Sequence, residues 1–121
     1  MDKKTILKIA DYLAGCLIEL GVSVSEIILF GSRAQGNATG ESDIDLAVVS
    51  GDFKGKGIFE RSDMIGDATY KTIMKFIAPI DLVTISPDDL ESETSIVAGY
   101  IKQGQVVYPA ARRRVAKKKA G

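Results

Sequence analysis

Two spacings of apolar residues alternate along the chain. Over residues 5–20, Ile6, Ile9, Leu13, Leu17 and Leu20 recur at steps of three and four, and Gly21 supplies a natural stop. That period predicts a first amphipathic helix. Residues 26–30 then hold the unbroken run Ile27-Ile28-Leu29-Phe30, and residues 44–49 hold Ile44 and Leu46-Ala47-Val48-Val49. Both are short enough for strands, and the first is apolar enough for burial on both faces. Residues 50–57 (SGDFKGKG) show three glycines, two lysines and no period, which reads as a flexible loop. Residues 59–77 return to helical spacing, with Ile65, Thr69, Ile73 and Phe76 on one stripe. Gly66 inside it costs about 1 kcal/mol relative to Ala.

The last third changes rhythm. Residues 79–85 (PIDLVTI) predict a third strand carrying one acid, Asp81. Ser86-Pro87-Asp88-Asp89 then reads as a helix start: Ser86 caps, Pro87 suits the first position, and two acids favour the positive end. Ile85 and Leu90 can form a hydrophobic staple across that cap. The polar residues 91–95 interrupt the helix before 96–102 resume it, and Gly104 ends it. Residues 106–108 suit a short edge strand, with Pro109 closing the fold. The expected organisation is one domain over residues 1–109 and a low-complexity, disordered tail over 110–121.

Composition narrows the chemistry. No histidine occurs among the 121 residues, which removes His-based acid–base catalysis, His metal ligation and Ser-His-Asp hydrolysis. Cys16 is the only cysteine, so no internal disulfide forms, and it lies next to an apolar stripe as a packed thiol would. No run of about 18 apolar residues suggests a membrane span. The amino-terminal stretch reads as an amphipathic helix and not as a signal peptide, and the expected location is cytoplasmic. The formal net charge is zero. Six basic residues after Pro109 nevertheless stand without an acid, leaving residues 1–109 with ten basic and sixteen acidic side chains, a net charge of −6. Such a body is a poor non-specific binder of nucleic acid, so any such contact falls to the tail.

The densest chemistry lies between the first two strands. Asp43 and Asp45 are two apart at a strand start, so their carboxylates share a face while Ile44 and Leu46 face the opposite way. Adjacent carboxylates repel, and a fold that aims them together suits a hard cation such as Mg²⁺. Upstream, Gly31 ends a strand and Ser32-Arg33-Ala34-Gln35 can form one helical turn before Gly36. Backbone N–H groups at such a junction, with the Ser32 hydroxyl, suit a phosphate. Phosphate donors beside paired carboxylates suggest a metal–nucleotide site. Lys54 and Lys56 are weaker phosphate candidates, because Gly55-Lys56-Gly57 carries Glu60 where a nucleotide loop needs its third glycine. Asp63 and Asp67 read as a solvated helix face.

Gly31-Ser32 followed by Asp43-Ile44-Asp45, within GSRAQGNATGESDIDL, resembles the nucleotidyltransferase superfamily that includes DNA polymerase beta. More narrowly it resembles the minimal nucleotidyltransferases, small proteins often encoded beside a HEPN-domain toxin. The similarity extends over about residues 5–108, and Gln35 stands where many relatives carry a basic residue. The resemblance implies an α/β fold: a small mixed β-sheet with packed helices, like the polymerase beta palm. It implies Asp43, Asp45 and Asp81 as catalytic, metal-binding carboxylates for two Mg²⁺ ions. Gly31 and Ser32 would bind the nucleotide, and Arg33 is either a phosphate partner or a surface residue. The implied reaction moves AMP from ATP to a hydroxyl of a partner protein, a HEPN-type toxin, making this chain its antitoxin. Alternatives are a small-molecule (aminoglycoside-type) nucleotidyltransferase and a non-catalytic partner that neutralises by binding.

Overall fold

The computed structural model of the chain describes residues 2–36, 38 and 42–109. The tail expected over 110–121 lies outside them. Helix α1 (Lys3–Glu19) begins two residues earlier than the apolar spacing predicts, because Asp2 caps it by accepting the Thr5 N–H at 2.9 Å. That hydrogen bond also holds the Asp2 carboxyl below its usual range. The stripe Ile6, Ile9, Leu13 and Leu17 is buried, with Ala10 and Ala14 between its members. Leu20 falls past the last turn and stays exposed. Val22 is buried in its place, where its N–H reaches Leu17 O and Gly21 N–H reaches Ile18 O. That pair of bonds is a Schellman close, and Gly21 at φ 86° permits it.

Strands β1 (Glu26–Phe30), β2 (Ile44–Val49), β3 (Ile80–Ile85) and β4 (Gln105–Tyr108) form one sheet in the order β3-β2-β1-β4. β1 pairs antiparallel with β2 and with β4, whereas β2 and β3 are parallel. The parallel pair needs a crossover, which α3 (Ile58–Phe76) provides. One face of the sheet (Ile27, Leu29, Ile44, Leu46, Val48) packs in a cluster with α1 residues and with Ala68 of α3. The other (Ile28, Phe30, Ala47, Val49, Ile85) packs against Leu90 of α4 (Pro87–Leu90) and Ala98 and Ile101 of α5 (Ile96–Lys102). Burial on both faces explains the unbroken apolar runs of β1 and β2. The shared burial of Ile85 and Leu90 fits the staple expected across the Ser86 cap, whose Oγ accepts the Asp89 N–H at 3.2 Å.

Two further details depart from the expected elements. The buried residues of α3 are Ala68 and Thr72, with Met64, Ile65 and Phe76 only partly covered. The contact stripe is thus rotated from Thr69 and Ile73 towards smaller residues, which lets α3 lie close to α1. The stretch read as a flexible loop is anchored instead. Gly51–Phe53 is a short 3₁₀ turn capped by Ser50, and its Phe53 ring is fully buried. Asp52 accepts from Ser23 N at 2.8 Å and Ser23 Oγ at 3.0 Å, tying the turn to the segment before β1. Gly104 does more than end a helix: a Cβ there would overlap the Leu29 carbonyl oxygen, so glycine lets β4 reach β1.

Candidate active site

Gly31 leaves β1 at φ 76° and ψ −156°, a conformation open in practice only to glycine. A Cβ there would also overlap Asp45 Oδ2 and sit 3.2 Å from Asp45 Cγ. This close approach brings a glycine turn and a carboxylate into direct contact. The next four residues form α2 (Ser32–Gln35), in which Ala34 N and Gln35 N both bond Gly31 O at 3.2 and 3.3 Å. The amides of Ser32 and Arg33 lie at the open N-terminal end of that turn.

The carboxylates are aligned by strand register. Asp45 pairs with Phe30 across β1 and β2, and with Asp81 across β2 and β3. Paired residues share a face, so Asp81, Asp45 and Phe30 form one row across three strands. Asp43 stands two residues upstream of Asp45. Asp45 is half-buried, while Asp43 and Asp81 are exposed. Burial, then the charges of Asp81 and Asp43, push the Asp45 carboxyl above its usual range. An isolated acid in the apolar β3 sequence need not be buried: Ile80 and Leu82 pack on the α1/α3 face, and Asp81 turns the other way. Electrostatic stress therefore falls on Asp45.

Among the described residues, no three Asp, Glu, Cys or His side chains gather tightly enough to hold an ion by themselves. An all-oxygen carboxylate set, with the Asp45 charge disfavoured by burial and by its acidic neighbours, nevertheless fits a hard cation. Mg²⁺ commonly takes one or two carboxylates and completes its shell from phosphates and water. The donor set suits Mg²⁺ brought in with a nucleotide.

Side chains from distant parts of the chain brace the turn. Arg33 Nη2 and Nε donate to Ser42 O at 2.8 and 3.3 Å, clamping the backbone just before Asp43. Gln105 of β4 donates from Nε2 to Ala34 O at 3.0 Å and accepts from Lys3 Nζ. Neither Lys3 nor Gln105 carries any local sequence signal for this role, since Gln105 and Ala34 lie 71 residues apart. The loop lysines fall elsewhere. Lys54 pairs with Asp88 at 2.8 Å, beyond the far end of β3 from Asp81. Lys56 lines a cavity of about 420 Å³ with Arg61, Ile65 and Leu82, whose lining includes neither Asp45 nor Asp81. Asp63 and Asp67 line a separate hollow with Gly21 and Val22, away from the carboxylate row.

Comparison with known proteins bears on the family and the fold. Residues 17–113 match the family described as polymerase beta, nucleotidyltransferase. A relative from Methanocaldococcus jannaschii, named a candidate protein adenylyltransferase, is 30% identical over 111 residues, covering 89% of this chain and 75% of its own. A candidate nucleotidyltransferase from Sulfolobus solfataricus superposes with a TM-score of 0.60 at 21% identity, over 83% of this chain and 77% of its own. A chain from a toxin–antitoxin structure with AMP-PNP gives 0.57 at 21% identity, over 88% of this chain and 78% of its own. At that identity the two structures speak to the fold, and both share it.

Proposed function

This chain belongs to the polymerase beta nucleotidyltransferase family, and from that premise we propose that it transfers AMP from Mg²⁺-bound ATP to a hydroxyl of a partner protein. The observation that carries the reading is Asp45, whose carboxylate abuts Gly31 on one side and pairs in register with Asp81 on the other. One side chain thereby joins the phosphate turn to the acceptor side. The name of the M. jannaschii relative supports a protein as acceptor. The toxin–antitoxin structure supports a toxin as that protein, and the sequence's resemblance to minimal nucleotidyltransferases narrows it to a HEPN-type toxin. Among the described residues no helix is long and apolar enough to cross a membrane, and the reading puts the reaction in the cytoplasm, where ATP is available.

In this mechanism the Ser32 and Arg33 amides and the Ser32 hydroxyl hold the outer phosphates of ATP. Asp43 and Asp45 face the α-phosphate, and Asp81 faces the incoming hydroxyl. Two Mg²⁺ ions held by Asp43, Asp45 and Asp81 would supply positive charge to the phosphates and lower the pKa of the acceptor oxygen. The acceptor oxygen bonds to the α-phosphorus while its bond to the bridging oxygen breaks. Pyrophosphate leaves, and the hydroxyl proton passes to the exposed Asp81 carboxylate and then to solvent. Gly31 lets the phosphates approach Asp45 without a side chain between them.

The test is transfer of radiolabelled AMP from ATP to a co-expressed partner protein. Asp45→Asn is expected to weaken Mg-ATP binding and to abolish labelling together. Asp81→Asn is expected to bind Mg-ATP nearly as well as wild type yet to lose labelling by at least about a hundredfold, the scale of one lost transition-state stabiliser. Wild-type labelling by Asp81→Asn would remove Asp81 from the site.

A further inference from the structure

The row that carries Asp81 and Asp45 continues to an aromatic pair. Phe30, the cross-strand partner of Asp45, is the last residue of β1 and directly precedes Gly31. Tyr100 of α5 meets its ring edge-on, with centroids 5.8 Å apart and planes at 81°. Phe30 is buried, whereas Tyr100 remains 46% exposed. The tyrosine ring is thus fixed against a buried neighbour and still open to solvent.

The rest of α5 reinforces this. Ala98 and Ile101 attach the helix to the sheet and are fully buried. Val97 and Ile96, three and four residues before Tyr100, share its side of the helix and are 56% and 89% exposed. An apolar surface with a fixed aromatic therefore stands beside the carboxylate row, on the same face of the sheet. Phe59 and Tyr70, the other exposed aromatics among the described residues, belong to α3 and the opposite layer. An in-line displacement puts acceptor and pyrophosphate on opposite sides of the α-phosphorus, so the ribose leaves sideways and its base needs a surface nearby. Aromatic side chains meet that need because every base has a π-face.

We propose that Tyr100, backed by Phe30 and flanked by Val97, is the stacking platform for the nucleobase of the bound nucleoside triphosphate. This inference rests on the proposed function, which puts the phosphates at Gly31 and Ser32. Calorimetric titration of wild type, Tyr100→Ala and Tyr100→Phe with Mg-ATP and with Mg-tripolyphosphate separates the two. Tripolyphosphate carries the charges without a base and also reports whether each variant keeps an intact phosphate site. Wild type is expected to bind both ligands, ATP more tightly. Tyr100→Ala should lose about five- to a hundredfold in ATP affinity, the range seen when a base-stacking aromatic is truncated, and keep its tripolyphosphate affinity. Tyr100→Phe should bind ATP as wild type does. The platform is overturned if Tyr100→Ala binds ATP normally, if it loses both ligands alike, or if Tyr100→Phe is as weak as Tyr100→Ala. Wild type that binds tripolyphosphate as tightly as ATP also overturns it, while leaving the phosphate site standing. Wild type that binds neither ligand overturns the proposed function and the platform together.

Discussion

Burial and the charges of Asp81 and Asp43 push the Asp45 carboxyl above its usual range, so the folded chain holds its proton more tightly than the unfolded chain does. At pH below the unfolded value, about 3.9, the group is protonated in both states and costs nothing; as pH rises through the raised folded value it becomes a liability. Without metal or nucleotide, Asp45→Asn is therefore expected to melt higher than wild type at pH 7, with the gap closing towards acidic pH. Thermal melts in EDTA across that range check it, and a lower midpoint at pH 7 would contradict the electrostatic account. Gly31 is constrained in a second way, by a glycine-only conformation and by contact with Asp45. Gly31→Ala should cost about 1–3 kcal/mol in denaturant melts and weaken Mg-ATP binding as well. Wild-type values on both counts would show that the turn has room for a side chain.

Helix α2 is a single turn, too short to persist on local bonds alone. Its position depends on Gln105 from β4 and on the Arg33 clamp to Ser42. Gln105→Ala should lower stability by only about 0.5–1.5 kcal/mol, the net value of a hydrogen bond, yet weaken both Mg-ATP and Mg-tripolyphosphate. Calorimetry on a variant that stays folded at room temperature would reveal it, and unchanged affinities would mean that α2 holds its own shape. The 3₁₀ turn Gly51–Phe53 makes a sharper contrast. Its sequence reads as a loose connection, but Phe53 is fully buried and Asp52 is tied to Ser23. Phe53→Ala should cost about 3–5 kcal/mol, as for a large core truncation, whereas a flexible loop would lose almost nothing.

At the scale of the molecule, ligand and fold are linked by mass action. A ligand that binds only the native state stabilises it by about 2.7 kcal/mol at a hundredfold excess over Kd. For a domain of this size that is about ten degrees in Tm. Mg-ATP should produce such a shift, and ATP with EDTA a much smaller one; equal shifts would mean that the carboxylates do not take Mg²⁺. The two ends of the chain also differ in character. Residues 1–109 carry a net charge of −6, and the basic run that balances it begins after Pro109. Deleting residues 110–121 should leave Tm and Mg-ATP affinity unchanged, because no apolar period links that segment to the core. A large drop in Tm would show that the segment packs on the domain.

Much of this was legible in the chain itself, wherever the signal is local. The apolar runs of β1 and β2, the break between α4 and α5, the Ser86 cap, and Gly31-Ser32 ahead of Asp43 and Asp45 all show as patterns within short stretches of the chain. Period and turn chemistry are enough for those. Resemblance could nominate Asp81, but only strand pairing decides that it stands in register with Asp45, since a shift of one residue would turn it to the opposite face. The same holds for Gln105 beneath Ala34, for Tyr100 on Phe30 and for the burial of Phe53. These contacts join segments that the sheet order and the α3 crossover bring together, and no local spacing encodes which neighbours they will be. Local pattern therefore outlines most of the elements and the groups each one carries; which of those groups meet depends on register and layer packing, which are properties of the assembled sheet.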